Sequence, residues 1–343
     1  MDTGLTDLAL PPGRRPGMGD VARLAGVSIQ TVSRVLNHHP NVSEKTHRKV
    51  GEAIKALGYH RNTAAMTLVT RSSRILGVVN FAMTHVGPYE TLRAVQEAAQ
   101  DADYFVSLAN VRNLSATSIH KAFDSLLSQA VDGIVVIAPH YEALTIIDEI
   151  PARVPIAVVG PRGRFEFASI NVNQARGAQL AAEHLLELGH HRLVHIAGPP
   201  DWLEAKARLE SWHRTLRGAG VDDFPSAVGD WEAKSGHDRA LEVLRDYDPT
   251  AIFVSSDQMA LGVLHALHRA ERHVPEDVSV IGFGDVAGTA YYEPALTTIA
   301  VDFEEIGRQC MAVMFDLMHG VPRESVVLEP RLVVRSSTAV APK

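Results

Sequence analysis

The segment Asp20-Val-Ala-Arg-Leu-Ala-Gly-Val-Ser-Ile-Gln-Thr-Val-Ser-Arg-Val-Leu-Asn37 constrains this chain more than any other. Val21, Leu24 and Ala25 stand at i, i+3 and i+4, which gives a short first helix one apolar face. Gly26 follows and supplies a tight turn, since glycine enters left-handed dihedrals without a Cβ penalty. Ser28 is a good N-cap for a second helix, in which Val32, Val35 and Leu36 face inward. A third helix is expected to start at Ser43, run through Val50, Ile54 and Leu57, and stop at Gly58. Two short helices at this spacing form a helix-turn-helix unit, whose second helix inserts its N-terminal residues into the major groove of DNA. The DNA-facing set is then Ser28, Ile29, Gln30, Thr31, Ser33 and Arg34. Gln30 can read adenine bidentately, Ile29 can touch a thymine methyl, and Arg34 can reach guanine or a phosphate. The competing reading, a three-helix domain that binds protein, is disfavoured by an outward face that is cationic and polar.

Charge is distributed to match. A net charge of −7 would argue against nucleic acid if it were evenly spread. Residues 18–75, however, hold nine Lys/Arg against three Asp/Glu, a net of +6. Residues 1–17 balance to zero, which leaves −13 for residues 76–343, the difference between −7 and +6. A cationic head on an anionic body holds phosphates locally while the body is repelled. At 343 residues the chain exceeds one ordinary core, so two or three domains are expected. No uncharged apolar run reaches the roughly 18 residues of a membrane span. Residues 1–17 lack a basic start followed by an apolar core and read as a disordered leader, not a signal peptide. The single cysteine, Cys310, excludes an intrachain disulfide and a cysteine-built metal cluster. These features together point to the cytoplasm.

From Arg74 onward short apolar strands alternate with amphipathic helices. Residues 75–79, 104–108, 133–137 and 156–159 read as buried parallel strands, with helices over 89–101 and 119–129 between them. A second series from about residue 174 has helices over 177–188, 205–219, 235–244 and 258–270 and strands over 193–197, 251–254 and 279–283. The expected fold class is α/β: an N-terminal all-α helix-turn-helix head plus two doubly wound parallel lobes. In such sheets ligands sit beyond the carboxyl ends of the strands, here where the lobes face each other.

Both regions resemble one family. DVARLAGVSIQTVSRVLN followed by NVSEKTHRKVGEAIKALGY is similar to the head of the LacI/GalR family of bacterial repressors over residues 19–59. The body is similar through LAAEHLLELGHHRLVHIAGP, GDW, VSSDQMALG, VPEDVSVIGFGD and PALTTIAVDFEEIGRQC, to about residue 338. The resemblance implies a leader (1–17), a DNA-binding domain (18–60), a hinge (61–72), a periplasmic-binding-protein-like sensor (73–338) and a tail (339–343). Three passages between the lobes would divide the sensor into an N-lobe (73–173 and 302–330) and a C-lobe (174–299 and 331–338). The family's hinge leucine wedges into the minor groove and kinks the operator. Leu68 matches it and Asn62 and Ala65 fit the hinge, whereas Arg61 stands where proline is usual and Met66 where a long polar residue is usual.

By the same resemblance the effector pocket maps onto Pro88, Tyr89, Gly160, Arg208, Trp231, Ser256, Asp257, Gly284 and Phe303. Arg208 would fork onto sugar hydroxyls, Trp231 would stack on a pyranose C–H face, and Phe303 would form an apolar wall. Core packing for Trp231 and a surface ion pair for Arg208 are the competing readings. Gly160 and Gly284 stand where lactose-type repressors have aspartates, and Ser256 where they have asparagine. Three hydroxyl acceptors are thus missing and room is gained, which favours a glycoside or disaccharide over a tightly held monosaccharide. Asp257 reads as the N-cap of the following helix and not as a catalytic base. The adjacent pairs His38-His39 and His190-His191 cannot both face one ion, and His265 with His268 lacks a third ligand, so no metal or cofactor is expected. No G-x-S-x-G, P-loop or paired-carboxylate signature is present, so no enzyme is expected.

The expected protein is a homodimeric repressor that binds a pseudo-palindromic double-stranded operator and responds to a sugar or glycoside. A corepressor-dependent regulator of a non-sugar ligand such as a nucleobase stays open, since the residues do not decide the sign of the response. A sugar-binding transport component is disfavoured by the head. No apolar heptad helix follows the last strand, so a dimer is expected and not a tetramer.

Overall fold

The computed structural model describes residues 14, 16–37, 39–60, 72–81, 83–151, 153–160, 167–221 and 226–342. It divides into a unit ending at Ser73 and a unit beginning at Arg74. No helix among the described residues is long and apolar enough to cross a membrane.

The first unit is built on α1 (Met18–Ala25), α2 (Ile29–Leu36) and α3 (Glu44–Leu57), and the chain sets their ends locally. Gly26 stops α1 by taking a φ of 66°. Ser28 starts α2 by accepting the Thr31 N–H on its hydroxyl at 3.1 Å. Ser43 caps α3 in the same way, and Gly58 ends it at a φ of 57°. Val21, Val32, Val50, Ala53 and Tyr59 close the core between the three helices. Asp20 is buried at its edge, accepting the Gly17 N–H at 2.9 Å and pairing with Arg14 at 3.1 Å and Arg23 at 3.4 Å. The backbone donor first, then the arginines, hold its carboxyl below the usual range.

The second unit holds two six-stranded sheets. The first runs, in spatial order, β11 (Val326–Leu328), β5 (Ala168–Val172), β4 (Ile156–Val159), β3 (Gly133–Ile137), β1 (Ile75–Asn80) and β2 (Phe105–Asn110), with every pairing parallel. The second runs β12 (Arg331–Val333), β10 (Thr297–Ala300), β9 (Ser279–Gly284), β8 (Ala251–Val254), β6 (Leu193–Ala197) and β7 (Ala227–Val228). Only β12 is antiparallel to its neighbour. The chain therefore leaves the first sheet after β5, returns to it after β10, and crosses once more between β11 and β12.

Helices cover both faces of each sheet, which is why β3, β6 and β8 are apolar almost throughout and fully buried. In the first lobe α4 (Val86–Asp101) and α11 (Phe303–Met318) pack on the face bearing Val78 and Val135. There α5 (Ala116–Leu127) and α6 (Tyr141–Asp148) pack on the opposite face, with Val79, Val136 and Val158, as the two-residue period of a strand requires. In the second lobe α7 (Gln174–Glu187) and α8 (Leu203–Gly218) cover Phe253, Ile281 and Ile299. There α9 (Ala233–Asp246) and α10 (Asp257–Arg269) cover Ile252, Val254 and Val280.

Two glycines let α9 and α10 touch backbone to backbone. A Cβ at Gly262 would lie 1.8 Å from the Ala233 carbonyl oxygen, and one at Gly236 would lie 2.1 Å from that of Met259. Gly262→Ala must push the helices apart, and overpacking of this kind costs on the order of 1–3 kcal/mol. Gly51, inside α3, has open space around it, so Gly51→Ala should instead stabilise the head by about 0.5–1 kcal/mol. Urea unfolding of the two variants reads both signs; an unchanged midpoint for Gly262→Ala would contradict the helix packing.

Candidate functional sites

On α2, Ser28, Ile29, Gln30 and Arg34 are exposed, and Ile29 is 54 % exposed despite being aliphatic. Ser28 and half-buried Thr31 bond to each other through their hydroxyls at 2.9 Å, so the helix start occupies them. Half-buried Ser33 lies within 3.5 Å of the Asn37 amide. Gln30 and Arg34 make no side-chain hydrogen bond or ion pair with any described residue, which leaves their donors available. Asn62 and Leu68, with Arg61 and Met66, lie outside the described residues.

The second site is a cleft between the two lobes, enclosing about 970 Å³ with the open solvent at its mouth included. It forms where the strands end: Ile137, Val159, Gly160 and Ile170–Val172 come from the first sheet, and Ser256, Phe283, Gly284 and Val301 from the second. Pro88, Gly160, Arg208, Trp231, Ser256, Asp257, Gly284 and Phe303 all line it. Tyr89 does not. It follows Pro88 by one residue on α4, a rotation of about 100°, and the residue is 48 % exposed.

Arg208 is the buried cation of this cleft, only 8 % exposed. Its Nε donates to Gln174 Oε1 at 2.8 Å, and its Nη1 donates to the Ser255 carbonyl. The guanidinium carbon sits 3.6 Å above the Phe283 ring centre and 5.7 Å from that of Trp231. Burial pulls its pKa down to about 10, against the opposing pull of Glu204 and Asp257, so it stays charged at neutral pH. Two of its five N–H donors are engaged by described residues, leaving the rest of the fork for a ligand.

The cap of α10 differs from the sequence reading. Ser256 is the N-cap, accepting the Met259 N–H at 3.1 Å, and Asp257 is the first helical residue. The Asp257 carboxylate is buried, accepts the Thr298 hydroxyl at 2.6 Å and the Val286 N–H at 3.0 Å, and lies against Gly284. The Asp257 oxygens are thus engaged by donors deeper in the lobe, and the serine hydroxyl takes the cap. Nor is Gly284 simply vacant space. A Cβ there would meet Asp257 Oδ2 at 3.1 Å, and one at Gly160 would meet the Ala138 carbonyl at 2.9 Å.

Sequence reasoning missed the aromatic rim. Trp202 from the second lobe lies edge-on to His85 and His140 of the first, at centroid distances of 5.2 and 5.1 Å, and to Trp231 at 5.1 Å. Gly198 makes room for this, since a Cβ there would sit 2.1 Å from the Trp231 ring. Trp231 itself holds a φ of 78°, strain worth about 1–3 kcal/mol in a non-glycine residue. Three cleft-lining residues carry buried polar atoms with no hydrogen-bond partner among the described residues: His85 Nδ1, Asn171 Oδ1 and Trp231 Nε1. Burial lowers the His85 pKa and raises that of Glu204, a further lining residue. The local signal for Trp202 and Glu204 was their position just after the strand-ending Gly198-Pro199-Pro200.

Burial raises the Asp257 carboxyl to about 6, with Thr298 and Val286 pulling the other way. A carboxyl whose pKa rises on folding contributes most stability when protonated, below its unfolded value of 3.8, and loses that contribution as pH rises through about 6. The stability of wild type minus that of Asp257→Asn should therefore fall between pH 4 and pH 7, by up to ~3 kcal/mol. Urea titrations across that range measure it, and a pH-independent difference would contradict the burial of this charge.

Residues 17–62 match the family model of bacterial regulatory proteins, lacI family, and residues 182–338 match that of the periplasmic binding protein-like domain. The lactose operon repressor of Escherichia coli (strain K12) is 32 % identical over 325 residues, covering 94 % of this chain and 90 % of that protein. The HTH-type transcriptional regulator CelR of Thermobifida fusca is 34 % identical over 339 residues, covering 94 % and 98 %. Among solved structures, the lac repressor dimer bound to operator and the anti-inducer ONPF matches with a TM-score of 0.86 at 31 % identity, covering 95 % of this chain and 100 % of that one. A complex of the transcriptional regulator CelR with cellobiose matches with a TM-score of 0.70 at 30 % identity, covering 94 % and 100 %. These relatives are regulators of transcription, not enzymes. Matched from the head through the sensor lobes, the chain belongs to the LacI family of bacterial DNA-binding transcription regulators.

Proposed function

We propose that this protein is a homodimeric repressor acting on chromosomal DNA in the cytoplasm, released from its operator by a sugar or glycoside held in the inter-lobe cleft. One observation carries the ligand class: a buried guanidinium over an aromatic floor, beside three polar atoms, of both donor and acceptor kinds, that find no hydrogen-bond partner among the described residues. A polyhydroxylated ring suits that set, because each hydroxyl both donates and accepts and the ring's C–H faces suit indole. The cellobiose bound by CelR supports the class. In this reading Arg208 clamps hydroxyls, while Trp231, Phe303 and Pro88 wall the ring and Gly160, Ser256, Asp257 and Gly284 shape its far side.

The working parts would be the head (18–60), the linker (61–72) and the sensor (73–338), whose N-lobe is 73–173 and 302–330 and whose C-lobe is 174–299 and 331–338. Asn62 and Leu68 would act in the linker, with Leu68 as the minor-groove wedge. Exposed Phe105 and Leu108 on edge strand β2 and Tyr291, 91 % exposed, are apolar surface for a partner subunit. The lac repressor dimer supports that assembly. Ligand must bind the closed sensor better than the open one, since only differential affinity shifts a population.

Anisotropy on an operator selected with the wild-type protein tests both sites. Arg208→Ala should abolish release by cellobiose, lactose or another active sugar while leaving operator binding intact. Gln30→Ala should cost roughly 1–3 kcal/mol on the operator and nothing on random DNA, because a base contact and not a phosphate contact is lost. Full sugar response in Arg208→Ala would sink the cleft assignment. Equal weakening on both DNAs by Gln30→Ala would sink that of the recognition helix.

A further inference from the structure

We infer that Glu204 is the carboxylate that receives the ligand's hydroxyls and makes the cleft select neutral sugars over phosphorylated or acidic ones; the inference rests on the sugar reading above. Glu204 precedes Arg208 by four residues on α8, so both occupy one face of that helix, and both line the cleft. Arg208 spends its engaged donors on Gln174 and the Ser255 carbonyl, not on Glu204. Glu204 is half-buried on the cleft wall, and no described residue donates a hydrogen bond to its carboxylate. A carboxylate in that position has both oxygens available to accept from a ligand's hydroxyls.

Several other acceptors of the cleft are spent or missing. Gly160 and Gly284 carry no side chain, Ser256 caps α10, and the Asp257 oxygens already take Thr298 and Val286. Among the described lining residues Asn171 Oδ1, His85 Nδ1, the Gln258 amide and the Glu204 carboxylate remain open, and of these only Glu204 is an acidic group offering two acceptor oxygens side by side. Two neighbouring hydroxyls match two carboxylate oxygens donor for acceptor. A phosphate or a second carboxylate brings acceptors to acceptors. It would also meet two carboxylates, Glu204 and Asp257, against the single guanidinium of Arg208 among the described lining residues.

The full-length protein can be titrated with cellobiose, lactose and methyl glucoside, and with cellobiose 6-phosphate and a glucuronic acid glycoside, following intrinsic fluorescence because Trp202 and Trp231 line the cleft. At least one neutral sugar should bind, and its anionic counterpart should bind at least tenfold more weakly. Glu204→Gln should weaken the neutral sugar at least tenfold and narrow that gap, while the melting temperature without ligand changes little because Asp257 still supplies opposite charge to Arg208. Glu204→Asp should preserve the discrimination against anions. Unchanged neutral-sugar affinity in Glu204→Gln, a fall in its ligand-free melting temperature that matches the loss of affinity, or anionic sugars binding more tightly than neutral ones, would overturn the role of Glu204 and leave the sugar reading standing. Binding of a purine base with no response to any sugar would overturn the sugar reading itself.

Discussion

Parallel pairing governs the body of this molecule. A parallel strand must be re-entered from the same end, so each connection crosses a face of the sheet as a helix, and both faces end up covered. All strand ends of one kind then fall on one side of each lobe. The loops that leave Ile137, Val159 and Val172 in one sheet and Val254, Gly284 and Ala300 in the other converge because topology leaves them nowhere else to go. The cleft is thus a consequence of strand direction before any lining residue is chosen.

Within that cleft the dominant electrostatic fact is a buried guanidinium. Withdrawing Arg208 from water is offset by a carbonyl, an amide oxygen and the π face of Phe283, with Glu204 and Asp257 supplying the opposite charge. Phe283 lies on β9 and Ser255 directly follows β8, both in the second lobe, and Gln174 opens the helix that enters it. The arginine therefore ties its fork to one lobe and leaves the first lobe free to move against it.

The lobes meet at the rim. Leu203 N–H donates to the Pro139 carbonyl at 3.0 Å, His140 forms a bridge with Trp202, and His85 lies 3.7 Å from Glu232. These contacts are few and polar or edge-on aromatic, beside the large apolar cores on which each lobe separately rests. Lobes held together by such a seam can separate at far lower cost than either lobe can unfold, which is what a sensor of this kind requires.

The sequence by itself determined the head, the alternation of strands and helices, and the fold class, because each depends on neighbours along the chain. A glycine at 26, a serine at 28 and apolar residues at 21, 25, 32 and 35 act within one or two turns. The same reasoning began two body helices three residues late, at 89 and 177 where the helices begin at Val86 and Gln174. A first helical turn needs a cap and not an apolar face. Strand β5 escaped it too, since Ala-Ser-Ile-Asn-Val does not read as an apolar run. Ser169 is buried there only because the Ser325 hydroxyl, 156 residues away, meets it at 2.8 Å. Tertiary structure alone decided that Tyr89 faces solvent, that Ser256 and not Asp257 caps α10, and that His85, Asn171, Trp202 and Glu204 share one cleft. Those outcomes turn on which donors and ring faces meet across two lobes, and a partner remote in the chain leaves no mark on the residues beside it.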